Sequence, residues 1–264
     1  MHASTLAAAA CYGARMRLDT GLLSADLRRV ADAAREAEAA GWDGLWTAEA
    51  GHDPYLACAV AATATSRITI GTNIAVAFPR SPLVHAQIAW DLQAASRGRF
   101  VLGLGTQVKG HNERRYSTPW TAPGPRLREM IELIRHIWDV WQNGVRPHYE
   151  GRHYRFSLMT PFFSPGPLDV PLPRIFIAGV NPYVCKLAGE LCDGFHAHPF
   201  HSEQYLREHV QPGIEAGLAK RGRARADVEI ATTAFIVTGP DRDAVERAKA
   251  PVRQQIAFYA STPA

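Results

Sequence analysis

A chain of 264 residues, 47% of them hydrophobic, can bury one sizeable core, and α/β folds of about 250 residues commonly form a single domain. The formal charge is only +4, and the basic residues fall in short groups such as Arg28-Arg29, Arg114-Arg115 and Lys220 to Arg225, which read as solvated helix faces and argue against a nucleic-acid partner. No apolar run approaches the ~20 residues of a membrane span, so no membrane partner is expected.

Residues 1–15 are Ala-rich but lack the basic segment and cleavage site of a signal peptide, and are read as a disordered extension ahead of one domain, 16–264. Strand-like runs follow at Arg17–Leu22, Gly44–Glu49, Thr69–Val76, Phe100–Thr106, Arg174–Ala178, Gly194–His198 and Glu229–Val237. Helical patterns lie between them at Ser24–Ala40, Pro54–Thr65, Pro82–Ser96, Pro125–Asn143, Pro182–Cys192 and Ser202–Ala219, the last interrupted by Pro212, and a final one runs from Asp241 to about Tyr259. Such βα alternation fits either a (β/α)8 barrel or an open doubly wound sheet. A closed barrel needs eight strands; at ~30 residues per βα unit, the chain is expected to lack its C-terminal strand and helix.

Two connections are long. Gln107 to Gly124 has no clear periodicity, and Trp141 to Pro173 carries Phe156, Met159, Phe162 and Phe163, predicting an apolar lid or a homodimer contact. Cys11, Cys58, Cys185 and Cys192 form no C-x-x-C pair and read as free thiols of a reducing cytoplasm.

The clearest unit spans Ile68 to His111. Ser81 and Pro82 open a helix, Leu83, Ala86, Gln87, Trp90 and Ala94 recur at helical spacing, Gly98 closes it, and Phe100 to Gly105 begins a new strand. Strands apolar on both faces belong to parallel sheets, whose chemistry lies beyond their carboxyl ends. That directs attention to Asn73–Phe78 and Thr106–His111. After the second strand come Glu49, His52 and Asp53; His52 is the better acid or base near neutral pH, and Asp53 also reads as a helix cap. Lys109 and His111 are further polar candidates. Gly103-Leu104-Gly105 is no dinucleotide fingerprint, because Val108 holds the third glycine position. Ala178, Gly179, Val180 and Asn181, followed by Pro182, are a candidate phosphate loop at a helix start. His196 and His198 alternate onto one face and raise a zinc alternative; without a supporting carboxylate cluster apart from Glu203, no metal is assigned and His198 is placed in the substrate pocket.

Several short motifs occur in a characteristic order: Gly41-Trp42-Asp43-Gly44-Leu45-Trp46, Gly71-Thr72-Asn73-Ile74, Ala86-Gln87, Gly98 to Gly105, Leu187-Ala188-Gly189-Glu190 and Asp193-Gly194-Phe195. In these the chain resembles the luciferase-like monooxygenase superfamily, in its branch of oxidoreductases using the deazaflavin coenzyme F420. The resemblance implies a TIM (β/α)8 barrel, a non-prolyl cis peptide at Asn73-Ile74 beneath the deazaflavin, Glu49 as an acidic residue touching it, and Thr106 and Gln107 beside it. It also places the cofactor phosphate at Ala178 to Asn181. Relatives often carry a Gly-Glu pair where this chain has Gln107-Val108, so Lys109 or His111 would replace that acid. The function read from these residues is F420-dependent hydride exchange with a small organic substrate. The alternatives are an FMN-dependent monooxygenase, a metal-dependent barrel hydrolase or a non-catalytic F420-binding protein.

Overall fold

The computed structural model describes residues 16–22 and 26–261. The expected 1–15 extension and Cys11 therefore lie outside the described residues. The elements are β1 (Asp19–Gly21), α1 (Leu27–Ala39), β2 (Gly44–Thr47), α2 (Pro54–Ala64), β3 (Thr69–Thr72), β4 (Ala75–Val76), α3 (Pro82–Ala95), β5 (Phe100–Gly105), α4 (Lys109–Arg114) and α5 (Pro123–Asn143). There follow a small hairpin of β6 (Tyr149–Glu150) and β7 (Arg155–Phe156), then β8 (Arg174–Ala178), α6 (Pro182–Leu191), β9 (Gly194–Ala197), α7 (Gln211–Arg221), β10 (Glu229–Thr232) and α8 (Arg242–Ala260).

The large sheet has the order β1-β2-β3-β5-β8-β9-β10, with β4 pairing β5. Its registers are parallel: Gly44 lies opposite Asp19 and Thr69, Ile70 opposite Phe100, and Gly194 opposite Phe176 and Glu229. Parallel neighbours need crossovers of a dozen or more residues, which explains the intervening helices. β2, β5 and β9 are buried at every position, as expected of strands covered on both faces. β1 and β10 are not neighbours, and among the described residues no strand follows β10.

Several boundaries differ from the sequence reading. β2 stops at Thr47, so Glu49 lies beyond the strand. The run Thr69 to Val76 is divided into β3 and β4 by Asn73 and Ile74, whose peptide bond is cis as the resemblance implied. β10 ends at Thr232 rather than Val237. The aperiodic stretch after Gln107 contains α4, and the Trp141–Pro173 connection contains the hairpin and a 3-10 turn at Pro161–Phe163. Pro212 lacks an N–H, and the chain accommodates it with a π-helical turn, Leu206–Val210, in which the Gln211 N–H reaches the Leu206 carbonyl.

The chain divides into two compact units, one taking the chain up to Ala75 with Ile88–Leu102 and Leu168–Pro173, the other taking Val76–Gln87, Gly103–Pro167 and the rest from Arg174. In the first, Val30, Ala34, Leu45, Ala61, Ile68 and Ile70 are buried. Polar anchors fix the α2–β3 turn: the Glu38 carboxylate accepts the N–H groups of Ser66, Arg67 and Ile68, and the Arg99 guanidinium donates to the carbonyls of Ala62, Thr65 and Ile68. A turn so held presents β3 in fixed register.

In the second unit, Leu127, Ile131, Ile134 and Trp138 recur on one face of α5, and the fully buried Trp138 donates its indole N–H to the Ala86 carbonyl at 3.1 Å. Burying one such side chain contributes roughly 1.5–3 kcal/mol. Helices α6 and α7 approach so closely that a Cβ on Gly189 would meet the Ile214 carbonyl and one on Gly217 the Lys186 carbonyl. Beside this contact Glu190, its side chain 1% exposed, pairs with Arg128 at 2.9 Å and Lys220 at 3.0 Å. Burial pushes the Glu190 carboxyl up, but hydrogen bonds from Lys220 and Arg128 outweigh it and hold the group below its usual 4.5.

A buried acceptor whose folded-state pKa is lowered contributes stability above its unfolded value and loses it as pH falls through the folded one. Glu190→Gln should therefore destabilise the protein at pH 7 by about 1–3 kcal/mol, the half-exposed Lys220 limiting the effect. Denaturant melts of parent and variant should converge as pH drops below 4.5; a gap that persists or widens in acid would show that the charge of Glu190 is not what stabilises.

Candidate active site

In the first unit, β2 and β3 end side by side. The Asn73 N–H donates to the Thr47 carbonyl at 2.6 Å, and the Glu49 N–H donates to the Ile74 carbonyl at 3.0 Å. These two bonds bracket the cis peptide and tie Glu49 to it through the backbone. Beneath them the buried Thr47 hydroxyl donates to the Pro54 carbonyl at 3.1 Å and touches the Cys58 sulfur at 3.3 Å. Burial pushes the Cys58 thiol up to about 12, so it stays protonated and inert. His52 is exposed in the turn that follows, and Asp53 is the N-cap of α2, its carboxylate accepting the N–H groups of Tyr55 and Leu56 at 2.8 and 3.3 Å. Capping satisfies donors that a helix start cannot satisfy itself, so Asp53 has the structural of its two readings.

In the second unit, Thr106 and Gln107 follow β5. Gln107 has φ +56°, and its side-chain carbonyl accepts the Val108 N–H at 3.0 Å. The buried Asn112 side chain donates to the carbonyls of Thr106 and Val108 at 2.9 and 3.1 Å and so folds this segment onto α4. Lys109 and His111 are exposed on that short helix, and the carboxylate nearest Lys109 is Glu113 at 4.0 Å. Nothing in the spacing of Lys109 to Arg114 marks a helix; Asn112 was missed for the same reason.

At the end of β8, Asn181 caps α6, its side chain accepting the Val184 N–H at 3.0 Å, with Pro182 in the first turn. Val180 and Tyr183 are exposed, and the Val180 carbonyl accepts the Tyr205 hydroxyl. A Cβ on Gly179 would lie 2.7 Å from the Val184 side chain, so packing against α6 already requires glycine there. At the end of β9, His198 is half-buried; its Nδ1 accepts the Phe200 N–H at 3.1 Å and its ring meets Tyr259 edge-on at 4.7 Å. Burial, and then the nearby His201, hold its imidazole below the usual 6.5. His196 is buried and packs against Phe176 at 5.1 Å. Among the described residues no group of three or more His, Cys, Asp or Glu could hold a metal ion. Cys185 and Cys192 are buried free thiols pushed up to about 11 and about 12 by burial. No described helix is long and apolar enough to cross a membrane.

Sequence reasoning pointed to Phe78 but not to the side chains gathered around it in this unit. Phe78, just past β4, carries the Arg126 guanidinium over its ring at 4.4 Å and meets Trp120 edge-on at 6.1 Å. His85, fully buried, bonds the Ala77 carbonyl at 2.9 Å and steadies that segment. The available signal was a basic residue at the start of α5, where a helix dipole disfavours positive charge. By contrast, Phe162 and Phe163 of the predicted lid are 89% and 68% exposed and pack on each other at 5.1 Å, while Phe156 is buried.

The family model described as luciferase-like monooxygenase matches residues 6–263. An uncharacterized protein of Mycobacterium tuberculosis is 46% identical over 95% of this chain and 73% of its own length. An F420-dependent glucose-6-phosphate dehydrogenase of Intrasporangium calvum is 30% identical over 76% of the chain and 63% of its own length. Among solved structures, the coenzyme F420-dependent tetrahydromethanopterin reductase of Methanopyrus kandleri superposes with a TM-score of 0.73 at 22% identity, covering 95% of this chain and 74% of that one, a likeness of fold. With the parallel βα order and these matches together, the chain has the luciferase-like TIM-barrel type of fold and belongs to the luciferase-like monooxygenase family.

Proposed function

We propose that this protein is an F420-dependent oxidoreductase that exchanges hydride with a small organic substrate. The observation that carries the reading is the β8–α6 junction: α6 opens at the carboxyl end of β8, its positive dipole end suits a phosphate, and the exposed Val180 and Tyr183 leave the approach open. The residues there fit a phosphate-bearing deazaflavin, and the 30% identity to an F420-dependent dehydrogenase supports that cofactor over FMN. When bound, deazaflavin supplies a two-electron hydride carrier. Ala178, Gly179, Val180 and Asn181 would hold its phosphate, and Thr106 and Gln107 of the same unit are candidates for contact with its ring.

The protein's own part is orientation and proton management. Glu49 is held through its backbone beside the Asn73–Ile74 peptide, which keeps its carboxylate at that strand end. His52, at the carboxyl side of β2 with access to solvent, is the candidate for proton exchange with the substrate. Lys109 and His111 are second choices, being on the exposed surface of α4. His198, kept neutral by its surroundings, would offer substrate a hydrogen-bonding ring without a charge.

Titration of the purified protein with F420 and with FMN, followed by cofactor absorbance and fluorescence, tests the reading. F420 should bind at least tenfold tighter, about 1.4 kcal/mol; tighter FMN binding, or no binding of either, would contradict it. His52→Ala should lower turnover by roughly 10²–10⁴ while cofactor affinity holds. Because His52 is exposed, stability should shift by no more than about 0.5 kcal/mol. Turnover within a few fold of the parent would transfer the proton role to Lys109 or His111.

A further inference from the structure

We infer that Arg126 anchors an oxyanion of the substrate, making the preferred substrate a small organic acid with an apolar body; this rests on the oxidoreductase reading above. α5 carries several arginines, and their surroundings differ. Arg128 is paired with Glu190 at 2.9 Å and Arg135 with Asp193 at 2.8 Å. Arg126 has no such partner. Its Nε donates to the Tyr154 hydroxyl at 3.0 Å and an Nη to the Pro119 carbonyl at 2.9 Å, both neutral oxygens, and it makes no ion pair among the described residues. A guanidinium has five N–H donors in a planar fork, so the remaining ones are available to a ligand.

The position is electrostatically unfavourable without an anion. Arg126 is in the first turn of α5, at the positive end of the helix dipole, and that turn contains no acidic residue. The nearest carboxylate along the helix, Glu129, is committed to the N–H groups of Arg152, His153 and Tyr154 at 3.0, 2.7 and 3.3 Å. The cation is nevertheless held in place, lying 4.4 Å over the buried Phe78 ring and 5.8 Å from the Tyr154 centroid. Cation–π contacts fix such a group without neutralising it.

Its surroundings complete the argument. Phe78 is two residues past the end of β4, and the Ala77 N–H bonds the Gly105 carbonyl at the end of β5, so the guanidinium stands at the carboxyl ends of strands. Parallel α/β folds place chemistry on that side. Trp120, 6.1 Å from Phe78, adds an apolar wall. A fork with spare N–H groups beside aromatic surface suits a carboxylate, phosphoryl or sulfonyl group on a flat apolar molecule. The same oxyanion chemistry is also present in the cofactor's phosphate, and the test separates the two sources.

Benzoate and its neutral counterpart benzamide are titrated against cofactor-free protein and against protein saturated with F420, by calorimetry, for the parent, Arg126→Gln and Arg126→Lys. The parent should bind benzoate at least tenfold tighter than benzamide in both states. R126Q should lose the preference, R126K should reduce it at least threefold by losing the planar fork, and F420 affinity should stay within twofold. Equal binding of benzoate and benzamide by the parent, or an undiminished preference in either variant, would overturn the inference. Displacement of benzoate by F420, with R126Q weakening F420 binding tenfold, would also overturn it by giving the oxyanion to the cofactor. The cofactor-free arm reads Arg126 alone, so failure of F420 to bind would be seen separately from failure of the anion site.

Discussion

The parallel backbone ladder is the constraint on which the remaining features depend. Parallel registers send neighbouring carboxyl ends the same way, so the segments after β2 and β3 leave side by side, and so do those after β8 and β9. Two bonds of the ladder's continuation, Asn73 to Thr47 and Glu49 to Ile74, hold the ends of β2 and β3 together after regular pairing stops. Loops anchored by such bonds are positioned by a rigid scaffold, which is where binding residues are usually found. The polar anchors below them, Glu38 and Arg99, secure the turn that leads into β3.

What could be read from the sequence was local. Ser81, whose hydroxyl accepts the Val84 N–H, Gly98 at φ +85°, and the caps Asp53 and Asn181 each act within a few residues, so their chemistry is visible in the chain itself. The βα alternation was legible because apolar strands and capped helices punctuate one another. What was hidden depends on distant partners. α4 is too short for periodicity and exists through the bonds of Asn112. The division of β3 from β4 follows backbone geometry at Asn73-Ile74 that no residue type dictates; only the family resemblance indicated it. Arg126 stands over Phe78 because tertiary folding brings them together.

The charges of α5 show how one helix serves both stability and recognition. Arg128 and Arg135 are consumed by Glu190 and Asp193, joining α5 to the α6 region. Breaking a pair with a buried partner costs more than making it gains, so the contact of Arg128 with the buried Glu190 specifies the packing. Gly179 illustrates the same overlap: it lies in the proposed phosphate loop, yet Val184 alone excludes a side chain there. Substituting it would confound packing with binding, and for that reason the cofactor question is better addressed by direct binding.

The measurement closest to the central claim is a crystal structure of this chain with F420. The cofactor phosphate is expected at the α6 N-terminus by Gly179 to Asn181. A phosphate bound elsewhere, or no F420 in the crystal, would contradict the F420 reading.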